Sequence, residues 1–238
     1  MDDKFFQLYN VPSQGTLAKS FLANVFMWMS GALATSALFA WVFASNPYLM
    51  SFLVGERGMT IFGYAVMFSP LLLVLTLSFG WQRFSLPVIM GIFIAYAVLT
   101  GISLSFIFLH YTLGSIATVF LIASAMFATM AVLGYTTQTD LTSFGSLMRM
   151  ALFGIIIAVV VNWFLNSDTL SYIISVISVL VFTGLTAYDV QKLKYIGMSG
   201  NSDGMTMRKV AILGALELYL DFINLFLALL RLFGNRRD

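Results

Sequence analysis

The sequence predicts an all-α membrane protein with seven transmembrane helices in one domain spanning residues 1–238. Three observations carry this. Of 238 residues, 60% are hydrophobic and 9% charged, whereas a soluble domain carries about 25% charged residues. The apolar residues come in runs of about 20, the length that crosses a bilayer as helix. The segments between the runs are short, polar and rich in glycine, asparagine and threonine, too short to fold as a separate soluble domain.

The first span is expected at about residues 20–44 and ends at Asn46-Pro47, a pair that breaks a helix. The stretch before it lacks the order of a cleaved signal peptide. Glu56, Arg57 and Gly58 mark a loop. The second span, about 59–79, contains Pro70, and Gly80-Trp81-Gln82-Arg83 reads as an interfacial turn with an aromatic and a cation at headgroup level. The third, about 86–109, offers Thr100 to Ser105 as small residues for close helix contact. The fourth runs about 115–133 and the fifth about 147–165. Between them, Thr136, Thr137, Thr139, Asp140 and Thr142 suit a turn in which side chains bond local backbone. The sixth span is expected at about 170–193 and the seventh at about 210–232, joined by a basic, glycine-bearing loop.

Composition narrows function. There are no cysteines, so thiolate metal sites and cysteine nucleophiles are excluded. The lone His110 cannot build a histidine metal centre and reads as a loop residue near a helix end. No basic patch recurs with aromatics, which argues against nucleic acid, and no glycine-rich phosphate cradle appears. No cofactor is expected.

Carboxylates inside the last two spans are the chemical signal. An aspartate at mid-helix costs roughly 2.5–3.5 kcal/mol on insertion scales and is retained for a reason. At about 100° per residue, Gly214, Glu217, Asp221, Asn224, Ala228 and Arg231 share one side of the seventh span, and leucines and phenylalanines fill the others. Ser171, Ser175, Ser178 and Asp189 share a face of the sixth. Two helices that turn these faces inward bring Asp189 and Asp221 within reach, provided the sixth helix continues past Lys192. Lys192 and Lys194 read as snorkelling anchors at the interface. Two carboxylates in a dry bundle repel when both are ionised, so the pair holds a shared proton and titrates as a unit. A calcium ion is the other natural tenant, since it takes six to eight oxygens, and Asp189, Asp221, Glu217 and Asn224 offer several. Asp140 and Asp168, both in loops, read as structural.

Three segments resemble the Bax inhibitor-1/YccA family of seven-span membrane proteins: Gly134-Tyr135-Thr136-Thr137 with Asp140-Leu141, Thr186-Ala187-Tyr188-Asp189-Val190-Gln191, and Leu218-Tyr219-Leu220-Asp221-Phe222-Ile223-Asn224-Leu225-Phe226. Length, span count and motif order agree across nearly the whole chain, and the ending looks bacterial. The resemblance implies a central seventh helix and a pH-sensitive calcium leak that modulates membrane stress. Asp189 and Asp221 would hold its pore closed and respond to protons. It implies no enzyme, a bacterial inner-membrane location, and a membrane protease as a partner in some relatives. In two respects the chain departs from the family. The second span contains no basic residue to pair with an aspartate, and Glu217 adds an acid to the seventh helix. Rival functions are a non-conducting regulator that binds a membrane protease or another partner, a proton-coupled transporter, and an intramembrane aspartyl protease. The last lacks its Gly-x-Gly before Asp221.

Orientation follows the distribution of Lys and Arg. Lys4, Lys19, Arg83, Arg149, Lys192, Lys194, Arg208 and Lys209 collect on the N-terminal side, against Arg57, Arg231, Arg236 and Arg237 on the other. This favours a cytoplasmic N-terminus. The basic tail is the misfit: it either lies outside, or the seventh segment re-enters and returns it.

Overall fold

A computed structural model describes residues 14–56, 58–199 and 204–237. Lys4, Arg57 and the centre of the loop between the last two spans lie outside the described residues. Among the described residues, seven helices are long and apolar enough to cross a membrane. They are α1 (Gln14–Ser45), α3 (Ile61–Gly80), α4 (Leu86–Leu104, continued to His110 by the short α5, Ile107–His110), α6 (Leu113–Thr136), α7 (Thr142–Leu165), α8 (Asp168–Ser199) and α9 (Gly204–Phe233).

Several helices run further than hydropathy alone suggests. α8 passes Lys192 and continues to Ser199, and α9 starts at Gly204 rather than near residue 210. The added turns are polar and lie outside the apolar runs, so hydropathy does not mark them, though the backbone remains helical. Pro70 sits inside α3 without ending it. A membrane helix tolerates this where neighbouring groups satisfy the freed carbonyl.

Between α1 and α3 the chain is more ordered than a loop. Asn46 caps the short α2 (Pro47–Leu53), its side chain accepting from Tyr48 N at 3.0 Å. Two-residue strands β1 (Val54–Gly55) and β2 (Gly58–Met59) then pair antiparallel. His110 lies exposed at the end of α5, its Nδ1 3.1 Å from the Phe106 carbonyl oxygen.

α9 packs against α1, α4, α6 and α8, and α8 packs in turn against α1, α6 and α7. The core follows this arrangement: Ile212, Ala215, Leu218, Tyr219, Phe222, Leu225 and Leu229 of α9 are all buried. A polar clasp holds three of these helices. The Ser36 hydroxyl of α1 donates to the Ala97 carbonyl of α4 and meets the Tyr219 hydroxyl of α9, each at 2.7 Å. α3 and α7 are peripheral, with most of their apolar residues exposed on the outside of the bundle, as helices bathed in lipid should be.

The tail settles one alternative. α9 is unbroken from Gly204 to Phe233, so it crosses once and does not re-enter. Residues beyond it pair with the turn between α5 and α6. Arg237 N donates to the His110 carbonyl at 2.8 Å, and Thr112 N to the Asn235 carbonyl at 3.2 Å. By the alternation of the spans, that turn lies at the end of the bundle opposite the start of α1.

Candidate functional site

The inward faces of α8 and α9 open into a cavity of about 710 Å³, walled on its other sides by Leu71 and Val74 of α3 and by α7. Glu217, Leu220, Asp221, Asn224, Leu227, Ala228 and Arg231 line it along α9. Glu217, Asp221, Asn224, Ala228 and Arg231 are residues that the 100° spacing groups together, with Leu220 and Leu227 at the edge; Gly214, expected on the same side, packs against Leu193 instead. Ser178, Asp189 and Lys192 line it from α8, and Arg149 from α7.

Asp189 and Asp221 come together here. Their carboxyl groups lie within hydrogen-bonding reach of each other, as the continuation of α8 past Lys192 allows. Asp221 is 5% exposed. No N–H or hydroxyl donor reaches its Oδ2. A buried carboxylate oxygen without a donor is costly, and two carboxyl groups side by side can hydrogen-bond only if one of them carries a proton.

Glu217 is differently engaged. Lys192 Nζ donates to both its carboxylate oxygens, at 3.0 and 2.9 Å, and lies 4.0 Å from Asp189 Oδ1. Lys192 is therefore not a free interfacial anchor but a bridge between the two acidic helices. A second cation stands close by: Arg149 acts electrostatically on Asp189, and its guanidinium carbon lies 5.0 Å from the centre of the Tyr188 ring. The cations that attend the aspartates thus come from α8 and α7, whereas α3 supplies only apolar wall. The pairing was partly visible in sequence. Lys192 follows Asp189 by three residues, one helical turn, but its reach to Glu217 depends on the register of α8 against α9.

Asn224 lines the cavity and is satisfied locally, its Nδ2 donating to the Leu220 carbonyl at 2.8 Å. Among the described residues, no three acidic or histidine side chains converge as a metal cage. With Glu217 neutralised by Lys192, two aspartates fall short of the six to eight oxygens of a resident calcium site. A passing ion has no such requirement.

The first motif supports the second. A Cβ at Gly134 would overlap the Ala187 carbonyl, and one at Gly145 would overlap the Tyr188 ring, so α6 and α7 approach the Thr186–Gln191 segment only because these positions carry no side chain. Buried Gln191 holds the α6–α7 turn: its Oε1 accepts from Leu141 N, and its Nε2 donates to the Thr139 carbonyl, both at 2.8 Å. Asp140 turns the chain by accepting from Thr142 N at 2.9 Å and from the Thr142 hydroxyl at 2.6 Å. Those bonds, the hydroxyl first, hold its carboxyl below the usual aspartate range.

A second cavity of about 820 Å³ lies toward the other end of α7, lined by Asn162, Asn166, Asp168 and Ser171 among others. It shares Val159, Val160 and Arg231 with the first, so the two adjoin beside α7.

These features define an integral membrane protein of seven helices, with Asp221 buried and Asp189 half-buried between the last two. Residues 18–238 match the family model described as "Inhibitor of apoptosis-promoting Bax1", and the chain belongs to this Bax inhibitor-1 family. It is 45% identical over 220 residues to the inner membrane protein YbhL of Escherichia coli K12, covering 92% of this chain and 93% of that one. A protein of Borreliella burgdorferi is 41% identical over 222 residues, covering 93% and 94%. One of Deinococcus radiodurans is 38% identical over 237 residues, covering 99% of each.

Proposed function

We propose that this chain is a pH-sensitive cation leak of the bacterial inner membrane, with calcium among its ions, in which the Asp189–Asp221 pair is the closing element. The observation that carries this reading is the Asp221 carboxyl, buried beside the Asp189 carboxyl and with no donor to its Oδ2 among the described residues. One proton between the two carboxyls satisfies both and binds α8 to α9. A second proton, or the loss of the first, changes that bond, and the helices that flank the cavity repack. Lys192 and Arg149 set how many cations the chamber tolerates, because each offsets one acidic charge beside it.

The two adjoining cavities support a route. It would lead from the acidic chamber past Arg231, which lines both, to the polar cavity at Asn162 and Asp168. Polar and ionisable groups at membrane depth line such pathways. The N-terminal face is read as cytoplasmic, since Lys19, Arg83, Lys194, Arg208 and Lys209 gather at that end. The aspartates are read as a proton-responsive pair rather than a protease dyad, because Leu218-Tyr219-Leu220 precedes Asp221 where such a dyad carries Gly-x-Gly.

The test is calcium entry into liposomes bearing the purified protein, with pH as the variable. Wild-type flux should change severalfold across the range in which the pair titrates. Asp189→Asn and Asp221→Asn should each flatten that response. Equal flux from all three proteins at every pH would reject the proposal.

A further inference from the structure

Behind the aspartates, on the other side of the α8–α9 contact, lies a second feature that ion conduction does not use. A groove of about 530 Å³ runs between α1 and α6. Its walls are almost wholly apolar, and its floor includes Val190 and Phe222, the residues that follow Asp189 and Asp221 in the chain. At one end stands Lys19, exposed and without an ion pair among the described residues. Tyr135 lines the same end, and Lys194 Nζ donates to its carbonyl at 2.8 Å.

The dimensions are informative. The groove extends from Lys19 to Ser30 on α1 and from Tyr135 to Ser124 on the antiparallel α6. Eleven residues of helix at about 1.5 Å each give roughly 16 Å. This is about half of the ~30 Å hydrocarbon core, the depth of one leaflet. An apolar channel one leaflet deep, opening between two spans and ending at Lys19, with Lys194 held beside Tyr135 at the same end, is complementary in shape and charge to one chain and the headgroup of an anionic phospholipid.

The geometry points to a binding site for one anionic phospholipid, with an acyl chain along the α1–α6 groove and its phosphate at Lys19, supported by Lys194. Lysine–phosphate attraction selects the anionic headgroup, as basic pockets between membrane helices do, and the chain fills the apolar cleft. Because Val190 and Phe222 form the floor, an occupied groove braces the backs of the two helices whose fronts carry the aspartates. The lipid is thereby placed to act on the acidic chamber without entering it.

The experiment reads binding directly and does not depend on conduction. The protein is purified in mild detergent, incubated with equal amounts of phosphatidylglycerol and phosphatidylcholine of identical chains, and examined by native mass spectrometry. Wild type should retain the phosphatidylglycerol adduct in preference to phosphatidylcholine. Lys19→Gln, a change at an exposed position, should reduce that preference about fivefold. Ala128→Phe, at an exposed residue lining the groove, should fill it and reduce retention of both lipids while the protein stays helical by circular dichroism. Equal retention of the two lipids by wild type, an unchanged preference in Lys19→Gln, or undiminished adducts in Ala128→Phe would each overturn the assignment.

Discussion

At Asp221, one carboxyl group defines the site, because it is buried in the bundle beside a second acid and its Oδ2 meets no donor among the described residues. The residues around it differ in how openly their sequence announces them. Asp221, Glu217 and Asn224 recur on one helical face, so their shared exposure to the cavity follows from spacing alone. Lys192 does not announce its role, because an i,i+3 step from Asp189 suits an interface anchor as well as a bridge. Its bonds to Glu217 cross 25 residues of sequence and exist only once two helices take one register. The side chains of Lys192 and Glu217 are 34% and 44% exposed, so their pair adds at most about 1 kcal/mol; its importance is charge compensation. Asp140 permits a prediction with a defined sign. Its carboxyl titrates below the ordinary aspartate range because Thr142 bonds the ionised form. A depressed folded value gives stability that is present above the unfolded value near 3.9 and is lost as pH falls through the folded one. Asp140→Ala should therefore be less stable than wild type at pH 6, and the difference should shrink below about pH 3.9. Unfolding in mixed micelles at several pH values measures it, and a difference independent of pH would refute this account.

Helix by helix, the motif-bearing segments form one assembly. The 186–191 stretch of α8 is pressed by glycines of α6 and α7 on one side, and its Gln191 ties down their connecting turn. Gln191→Ala would leave the Leu141 N–H and the Thr139 carbonyl without their partner, a loss of about 0.5–1.5 kcal/mol for each of the two part-buried bonds. Hydrogen exchange at the Leu141 amide should accelerate by about tenfold or more. Unchanged exchange there would show that the turn holds itself. The expected spans lie within or close to the observed helices, since bilayer thickness dictates apolar length. The ends differ most: α8 and α9 extend into polar sequence, and the stretch after Asn46 folds into α2 and a strand pair. Those features depend on capping and on local backbone bonds, which a hydropathy profile does not register. The α1–α6 groove was equally hidden, because it arises from how two separate spans diverge.

Taken whole, the molecule is a bundle in which α8 and α9 are the most enclosed helices and α3 and α7 the most exposed. The open side, between α3 and α7, borders the acidic cavity; the α1–α6 groove lies on the other side of the α8–α9 contact. Seven crossings place Gly15 and Asn235 at opposite faces, and the backbone bonds between the tail and the α5–α6 turn hold the second of these in place. Since the chain has no native cysteine, Gly15→Cys and Asn235→Cys can be labelled singly. An impermeant maleimide applied to sealed, right-side-out spheroplasts should modify Asn235→Cys alone, and applied to inverted vesicles Gly15→Cys alone. Modification of both from the same side would contradict the topology. An odd number of crossings also restricts gene fusion. Two copies cannot be joined head to tail by a soluble linker and both keep their native orientation: the second would insert upside down unless the tether itself supplied an eighth hydrophobic passage.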